Sequence, residues 1–230
     1  MEFRQVGNTG IEVSVVGLGS EHIDNKPASV VDEVIGAALD NGITLMDMFM
    51  PGETVRTNIG RALAGRREKI AIQGGIGSVD LREQYDVSRD LKVCERYFEN
   101  MLRCLNTDYI DFGLLFFMDS HADVDAVLNN GVVDYARKLK QQGKIRAIGA
   151  SSHNPEIARR LVDEGLIEML MFSINPAFDM MPGSGSIESM IGGLAAQVTQ
   201  ADPKRSELYR LCQKKGVGIT VMKSLGAGKL

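Results

Sequence analysis

The chain has 230 residues, of which 44% are hydrophobic and 24% are charged, and its formal net charge is −4. This length suits one large α/β domain, and the acidic balance argues against nucleic acid or an anionic membrane surface as a partner attracted by bulk charge. The amino terminus is polar and no apolar run has the about 20 residues of a membrane helix, so we expect a cytoplasmic protein. The three cysteines are widely spaced, which predicts neither a disulfide framework nor a metal site.

Short apolar runs alternate along the chain with longer segments of helical periodicity. The predicted strands cover residues 15–18, 43–46, 70–72, 109–115, 145–148, 168–174 and 217–222. The predicted helices cover residues 30–41, 55–63, 88–105, 123–142, 155–164 and 205–215. Strands that are apolar on both faces and joined by helices are typical of a parallel sheet covered by helices. A doubly wound open sheet and an eight-stranded barrel that stops early are both compatible with this pattern.

Local signals refine this pattern. Residues 3–5 and 12–14 flank a turn at Gly10, which predicts an amino-terminal β-hairpin. Asn154 followed by proline is typical of a helix start. Residues 175–203 have no strand pattern and are rich in Gly, Ser and Met, so we interpret them as a long loop, either a mobile lid or a disordered insert.

Six segments resemble, in the family's own order, the strands and one helix of aldo-keto reductases. They are residues 16–20, 41–47, 58–63, 105–112, 144–151 and 221–226. Residues 151–155 and 170–178 are similar to a bacterial subgroup that usually carries an iron–sulfur ferredoxin-like domain, although no cysteine cluster for iron is present here. The resemblance implies one domain over residues 1–230, an α/β fold of the (β/α)8 TIM-barrel type that lacks the eighth strand and helix.

By resemblance, the function is NADP-dependent reduction of aldehydes or ketones by a tetrad of Asp, Tyr, Lys and His at the carboxyl ends of the strands. Asp47 matches the tetrad Asp at the end of the second strand. Residues 50–53 contain no Tyr and residues 72–75 contain no Lys, and Phe116 stands in place of the His. The tetrad is therefore predicted to be degenerate, with only Asp47 kept.

The cysteines of this chain predict no metal or iron–sulfur cluster. The resemblance implies NADP(H) as the cofactor and also implies which residues bind it. They are Ser20, Ser151, Ser152, Lys223, Ser224, Leu225 and Gly226. Met171 and Met222 stand where the family has a Gln and an aromatic residue near the nicotinamide. The family's adenosine 2′-phosphate segment follows the eighth strand, so we expect this end of the cofactor site to be missing.

Several polar residues near the strand ends have two interpretations. Without its lysine, Asp47 should be hydrated or meet another cation, and Lys223 and Arg56 are the candidates. His22, beside two acids, is either a replacement general acid or a surface residue, and the surface is favoured. For His153 we likewise favour helix capping or surface packing.

Three functional hypotheses remain open. The first is an active oxidoreductase with a small carbonyl substrate. The second is a catalytically silent barrel that binds a ligand or a protein through its rim. The third is a fragment without a function of its own. An absent eighth strand would leave the edges of the first and seventh strands open, which favours self-association.

Overall fold

A computed structural model describes residues 1–81, 84–175 and 202–225. Its strands are β1 (Phe3–Gln5), β2 (Glu12–Ser14), β3 (Leu18–Gly19), β4 (Leu45–Met48), β5 (Ala71–Ile76), β6 (Ser78–Leu81), β7 (Gln84–Val87), β8 (Ile110–Leu115), β9 (Ile145–Ser152), β10 (Met169–Ser173) and β11 (Gly218–Met222). Its helices are α1 (Ala28–Asp40), α2 (Glu53–Ala62), α3 (Leu91–Leu105), α4 (His121–Asn129), α5 (Val132–Gln141), α6 (Pro155–Asp163) and α7 (Pro203–Lys215). Within these residues, no helix is both long enough and apolar enough to cross a bilayer.

The main sheet is parallel and strongly curled. Its seven strands lie in the order β11-β10-β9-β8-β5-β4-β3. The hydroxyl of Thr220 on β11 donates a hydrogen bond of 3.2 Å to the side-chain carbonyl of Gln73 on β5. These strands are four positions apart, so a flat sheet would separate them by about 19 Å at about 4.8 Å per strand. The sheet therefore wraps round an interior, as the predicted barrel requires and an open doubly wound sheet does not.

Curling produces two apolar cores. The larger lies between the outer face of the sheet and the helices, which is why the strands are apolar on both faces. The smaller fills the barrel interior, and its members are Val6, Ile11, Val13, Leu45, Ala71, Phe112, Leu114, Ala147, Met169 and Met171. The predicted hairpin β1–β2 is confirmed, and the turn residues between its strands supply part of the inner core. The hairpin therefore closes the amino-terminal end of the barrel.

Two parts of the chain differ from the sequence-based prediction. The single helix predicted over 123–142 is wrong, because Gly131 adopts φ 81 and separates α4 from α5. A left-handed glycine interrupts helical geometry without side-chain strain, so periodicity continues across the break. The antiparallel hairpin β6–β7 follows β5 directly and was not predicted. Most of the predicted loop at 175–203 lies outside the described residues, and α7 begins at Pro203.

Candidate active site

Asp47 lies near the carboxyl end of β4 and faces the barrel interior. It is in register with Gln73 of β5, whose Nε2 donates a hydrogen bond of 3.1 Å to Oδ1 of Asp47. Burial raises the pKa of the Asp47 carboxyl to about 6, an effect that the Gln73 hydrogen bond opposes and the negative charge of Glu21 reinforces. A carboxyl group that titrates near neutrality can both donate and accept a proton.

Neither cation that we expected beside Asp47 pairs with it. Nε of buried Arg56 donates to the backbone carbonyl of Met50, and Nζ of Lys223 lies 3.0 Å from a ring nitrogen of His153. Among the described residues, the hydrogen-bond partner of the Asp47 side chain is thus the neutral amide of Gln73, a residue that is only 2% exposed. The absence of a lysine on β5 was readable from the sequence, but which β5 residue faces Asp47 depended on strand register.

Aromatic side chains cluster at the carboxyl-terminal rim, where Phe49 follows Asp47 by two residues. The ring of buried Phe116 lies 5.9 Å from that of Phe49 and 5.4 Å from that of Phe117. Tyr85 of β7 lies 4.8 Å from Phe49 and brings a phenol to this rim. A Cβ on Gly75 would lie 2.9 Å from the Phe116 ring, so this glycine makes room for the ring. Tyr85 was not predicted as a rim residue because no sequence pattern indicated its hairpin.

The three serines predicted near the cofactor form hydrogen bonds that hold loops in place at the rim. Oγ of Ser20 accepts the backbone N–H of Phe49, and Oγ of Ser151 accepts the backbone N–H of Phe117. Oγ of Ser152 donates to Oδ1 of Asp119. All three residues are buried, so their first role is to position the segments that follow β3, β4, β8 and β9.

The predicted cofactor residues after β11 differ in exposure. Lys223 is half-buried, whereas Ser224 and Leu225 are exposed. Gly226 lies outside the described residues. Leu225 is 71% exposed and is the last of the described residues.

His153 is a buried residue of the rim, and the prediction of capping or surface packing is wrong. Its Nδ1 lies 3.0 Å from Oδ2 of Asp119, and its ring centroid lies 5.0 Å from that of Phe117. Burial lowers the pKa of the His153 imidazole, although the Asp119 carboxylate opposes this shift. The cap of α6 is Asn154, whose side chain accepts the backbone N–H of Glu156, as predicted. His22 is exposed, as expected.

Metal-binding geometry is not found in the described ranges 1–81, 84–175 and 202–225. These residues contain no group of three His, Cys, Asp or Glu side chains arranged to hold a metal ion. All three cysteines are buried and free.

Comparison with known proteins decides the family. The model of the aldo/keto reductase family matches residues 15–230. The chain belongs to the aldo-keto reductase family. It is 30% identical to "Aldo-keto reductase YhdN" of Bacillus subtilis over 170 residues, 68% of this chain and 48% of that protein. It is also 30% identical to "Methylglyoxal reductase YeaE" of Escherichia coli over 147 residues, 62% of this chain and 46% of that protein. The chain thus spans about half the length of these curated relatives.

Solved structures of the family share its fold. The holo form of aldo-keto reductase AKR11C1 from Bacillus halodurans matches with a TM-score of 0.77 and 23% identity, over 99% of this chain and 68% of that one. An aldo/keto reductase from Klebsiella pneumoniae in complex with NADP and acetate matches with a TM-score of 0.67 and 22% identity, over 97% of this chain and 69% of that one. The curled sheet described above is therefore the barrel architecture of aldo-keto reductases.

Proposed function

We propose that this aldo-keto reductase binds NADP(H) and a small aldehyde or ketone at the carboxyl-terminal rim, and that Asp47 supplies the proton for carbonyl reduction. The observation that carries the proposal is the contact between Asp47 and the amide of Gln73. A lysine in place of Gln73 would keep the carboxylate ionised, whereas a neutral amide leaves its pKa near 6. The proposed tetrad therefore keeps its acid and loses the cation that would hold it ionised.

The cofactor proposal rests on the family and on part of the predicted residue set. Ser151 faces the interior in register with Met171, and its hydroxyl accepts a backbone N–H while its own proton can still be donated to a carboxamide. Ser224 and Leu225 are exposed after β11, and Lys223 in the same segment adds positive charge. Ser20 and Ser152 are wholly buried and would act by positioning loops. When bound, the reduced nicotinamide would supply the hydride to the carbonyl carbon.

The protein's own groups would handle the charge that develops on the carbonyl oxygen. Protonated Asp47 would donate to that oxygen, and Gln73 would hold the carboxyl group in a fixed orientation. Phe116 and Phe49 would exclude water from the interior side, which strengthens a hydrogen bond to the developing oxyanion.

A steady-state assay of NADPH oxidation with a panel of aldehydes and ketones tests the proposal. The rate should rise as the pH falls through about 6, because only the protonated form of Asp47 can donate. Asp47→Asn should reduce the rate by about 100-fold or more, whereas Asp134→Asn on an exposed face should not. Loss of turnover in Tyr85→Phe but not in Asp47→Asn would assign the proton to the phenol and contradict the proposal.

A second candidate function is a silent barrel that binds a ligand without turning it over. The packed aromatic rim and the engaged serine hydroxyls favour it. NADPH binding, followed by cofactor fluorescence and stoichiometry, separates the two hypotheses. Binding without turnover at any pH between 5 and 8 supports the silent barrel.

We also propose that the protein is a single domain of the cytoplasm that self-associates through the edges of its sheet. Val16 beside β3 is 51% exposed and Val221 on β11 is 50% exposed, so both edges present apolar surface. The free, buried cysteines fit a reducing compartment. Sedimentation velocity over a range of protein concentrations tests the association, and Val221→Lys should weaken it.

A further inference from the structure

Three polar side chains form a continuous line along the rim. Nδ1 of His153 lies 3.0 Å from Oδ2 of Asp119, and Nε2 of His153 lies 3.0 Å from Nζ of Lys223. The backbone N–H of His153 also donates to Oδ1 of Asp119 over 2.6 Å, so the carboxylate holds both the main chain and the ring. The Asp119 carboxylate accepts a hydrogen bond from Nδ1–H of His153, so in the neutral ring Nε2 carries no proton. The lone pair of Nε2 therefore faces Lys223.

This line has the geometry of an activated nucleophile. A nucleophilic side chain within hydrogen-bond reach of a base, with the base oriented by a third group, is the arrangement found in nucleophilic enzymes. Here Lys223 occupies the nucleophile position, His153 the base position and Asp119 the orienting position. We propose that Lys223 forms a reversible imine with small aldehydes or ketones, with His153 as its base and Asp119 as a positioning residue.

The surroundings of Lys223 favour a free amine. No carboxylate oxygen of the described residues lies within 4.0 Å of its Nζ, so the imidazole takes the place of the usual ion-pair partner. Burial also lowers the pKa of the Lys223 ammonium, although the more distant Glu21 and Asp119 oppose this. The backbone of Lys223 adopts φ 57 and is held there by Nδ2 of Asn175, which donates to its carbonyl over 2.8 Å. A left-handed lysine is uncommon, and this hydrogen bond fixes the direction in which its side chain leaves the backbone.

The chemistry balances without an oxidant or reductant. His153 accepts a proton from the Lys223 ammonium, and the free amine adds to the carbonyl carbon, forming a C–N bond. The imidazolium returns this proton to the former carbonyl oxygen, which gives a carbinolamine. His153 then carries a second proton from the amine nitrogen to the hydroxyl group, which leaves as water while the C=N bond forms. Loss of the last nitrogen proton to solvent gives the neutral imine, so one carbonyl compound and one amine give one imine and one water. An amine is a suitable nucleophile for a carbonyl carbon, and hydrolysis of the imine releases both reactants again.

This proposal goes beyond hydride transfer. It shares with the proposed function the carbonyl class of the ligand and the residue Lys223, so imine formation is proposed for the protein without nicotinamide. The test uses the full chain without nicotinamide, propanal as the probe and sodium cyanoborohydride to trap the imine as a propyl-lysine. Peptide mapping with a protease that does not cut at lysine gives a rate for each site. Lys223 should be trapped about tenfold or more faster at neutral pH than Lys214, which is exposed on α7. Equal rates at the two lysines overturn the proposal.

Variants separate nucleophilic reactivity from local structure. Lys223→Met should remove only the fast site, whereas Lys214→Met should leave trapping at Lys223 unchanged. His153→Asn should slow trapping at Lys223 about tenfold or more, and added imidazole should restore part of the rate in His153→Ala. If a His153 variant that retains the wild-type circular dichroism spectrum traps propanal at Lys223 at the wild-type rate, His153 is not the base and the proposal fails. Because the comparison of Lys223 with Lys214 is made within the wild-type protein, it holds even if the His153 variants do not fold.

Discussion

Gln73 and Asp47 are side-by-side residues of adjacent parallel strands, and the amide of one donates to the carboxyl of the other over 3.1 Å. The side-chain carbonyl of Gln73 also accepts a hydrogen bond from the hydroxyl of Thr220, on the opposite side of the interior. Nε2 of Gln73 lies 3.3 Å from the sulfur of Met171. Its side chain is therefore fixed by three strands at once. Burial raises the pKa of Asp47, and this uncharged partner opposes the shift without supplying a counter-charge.

Replacing Gln73 with lysine should restore an ion pair and lower the pKa of Asp47 from about 6. A cation about 3 Å from a carboxylate favours the charged form. The measurement is an NMR titration of the Asp47 side-chain carboxyl carbon in the variant and the wild type. Gln73→Met is the matched control, since it removes the amide without adding charge and should leave the pKa raised. An Asp47 pKa that is the same in Gln73→Lys and in the wild type would show that the added ammonium does not reach the carboxyl.

Asp47→Asn should stabilise the protein more at pH 7.5 than at pH 4. The folded-state pKa of about 6 exceeds the ordinary value of 3.8, so the folded state binds the proton more tightly than the unfolded chain. Asp47 therefore contributes less to the free energy of unfolding as the pH rises from about 4 to 6. Above about 6 the loss of stability caused by its buried charge is complete. The gain from the variant should grow by about 2 kcal/mol between the two pH values. Urea unfolding at both pH values checks this, and a gain independent of pH contradicts it.

Gly7→Ala should destabilise the protein by about 3 kcal/mol or more. Gly7 adopts φ +53, and a Cβ there would lie 2.3 Å from the backbone nitrogen of Gly218. Gly10→Ala, in the same hairpin with φ +73 and nothing within 4 Å, is the matched control and should cost only about 1 kcal/mol. Thermal and urea unfolding give both values. Equal losses would show that the close approach to β11 is unimportant.

Asp111→Ala should cost about 3 to 5 kcal/mol of unfolding free energy. The buried carboxylate accepts from the guanidinium groups of Arg67 and Arg146 and from the backbone N–H of Ile72, over 2.8 to 3.0 Å. Removing it leaves the backbone N–H of Ile72 without this acceptor and removes the negative charge that faces both guanidinium groups, while Arg67 still donates to the backbone carbonyl of Tyr109. Asp134→Ala, whose ion pair with Arg137 is exposed, should change stability by about 0.5 kcal/mol or less. Urea unfolding at pH 7 decides between the two, and a loss at Asp111 as small as that at Asp134 would contradict the structural role.

The sequence alone determined the repeating strand–helix order, the amino-terminal hairpin and the place of Asp47 on its strand. These features depend on local patterns, namely runs of apolar residues, turn glycines and a helix cap beside proline. The break at Gly131 was not predicted, because a glycine does not interrupt the apolar periodicity. The hairpin β6–β7 was not predicted, because the sequences of short strands resemble those of loops.

Only the tertiary structure decided which polar groups meet. Gln73 faces Asp47 and reaches Thr220 because the sheet curls, and a shift of one residue in register would turn Gln73 to the opposite face. Likewise, His153 meets Lys223 because both follow strands that end at the same rim, although 70 residues separate them in the chain. Such contacts depend on strand register and curvature, which arise from packing over the whole barrel and leave no local pattern in the sequence.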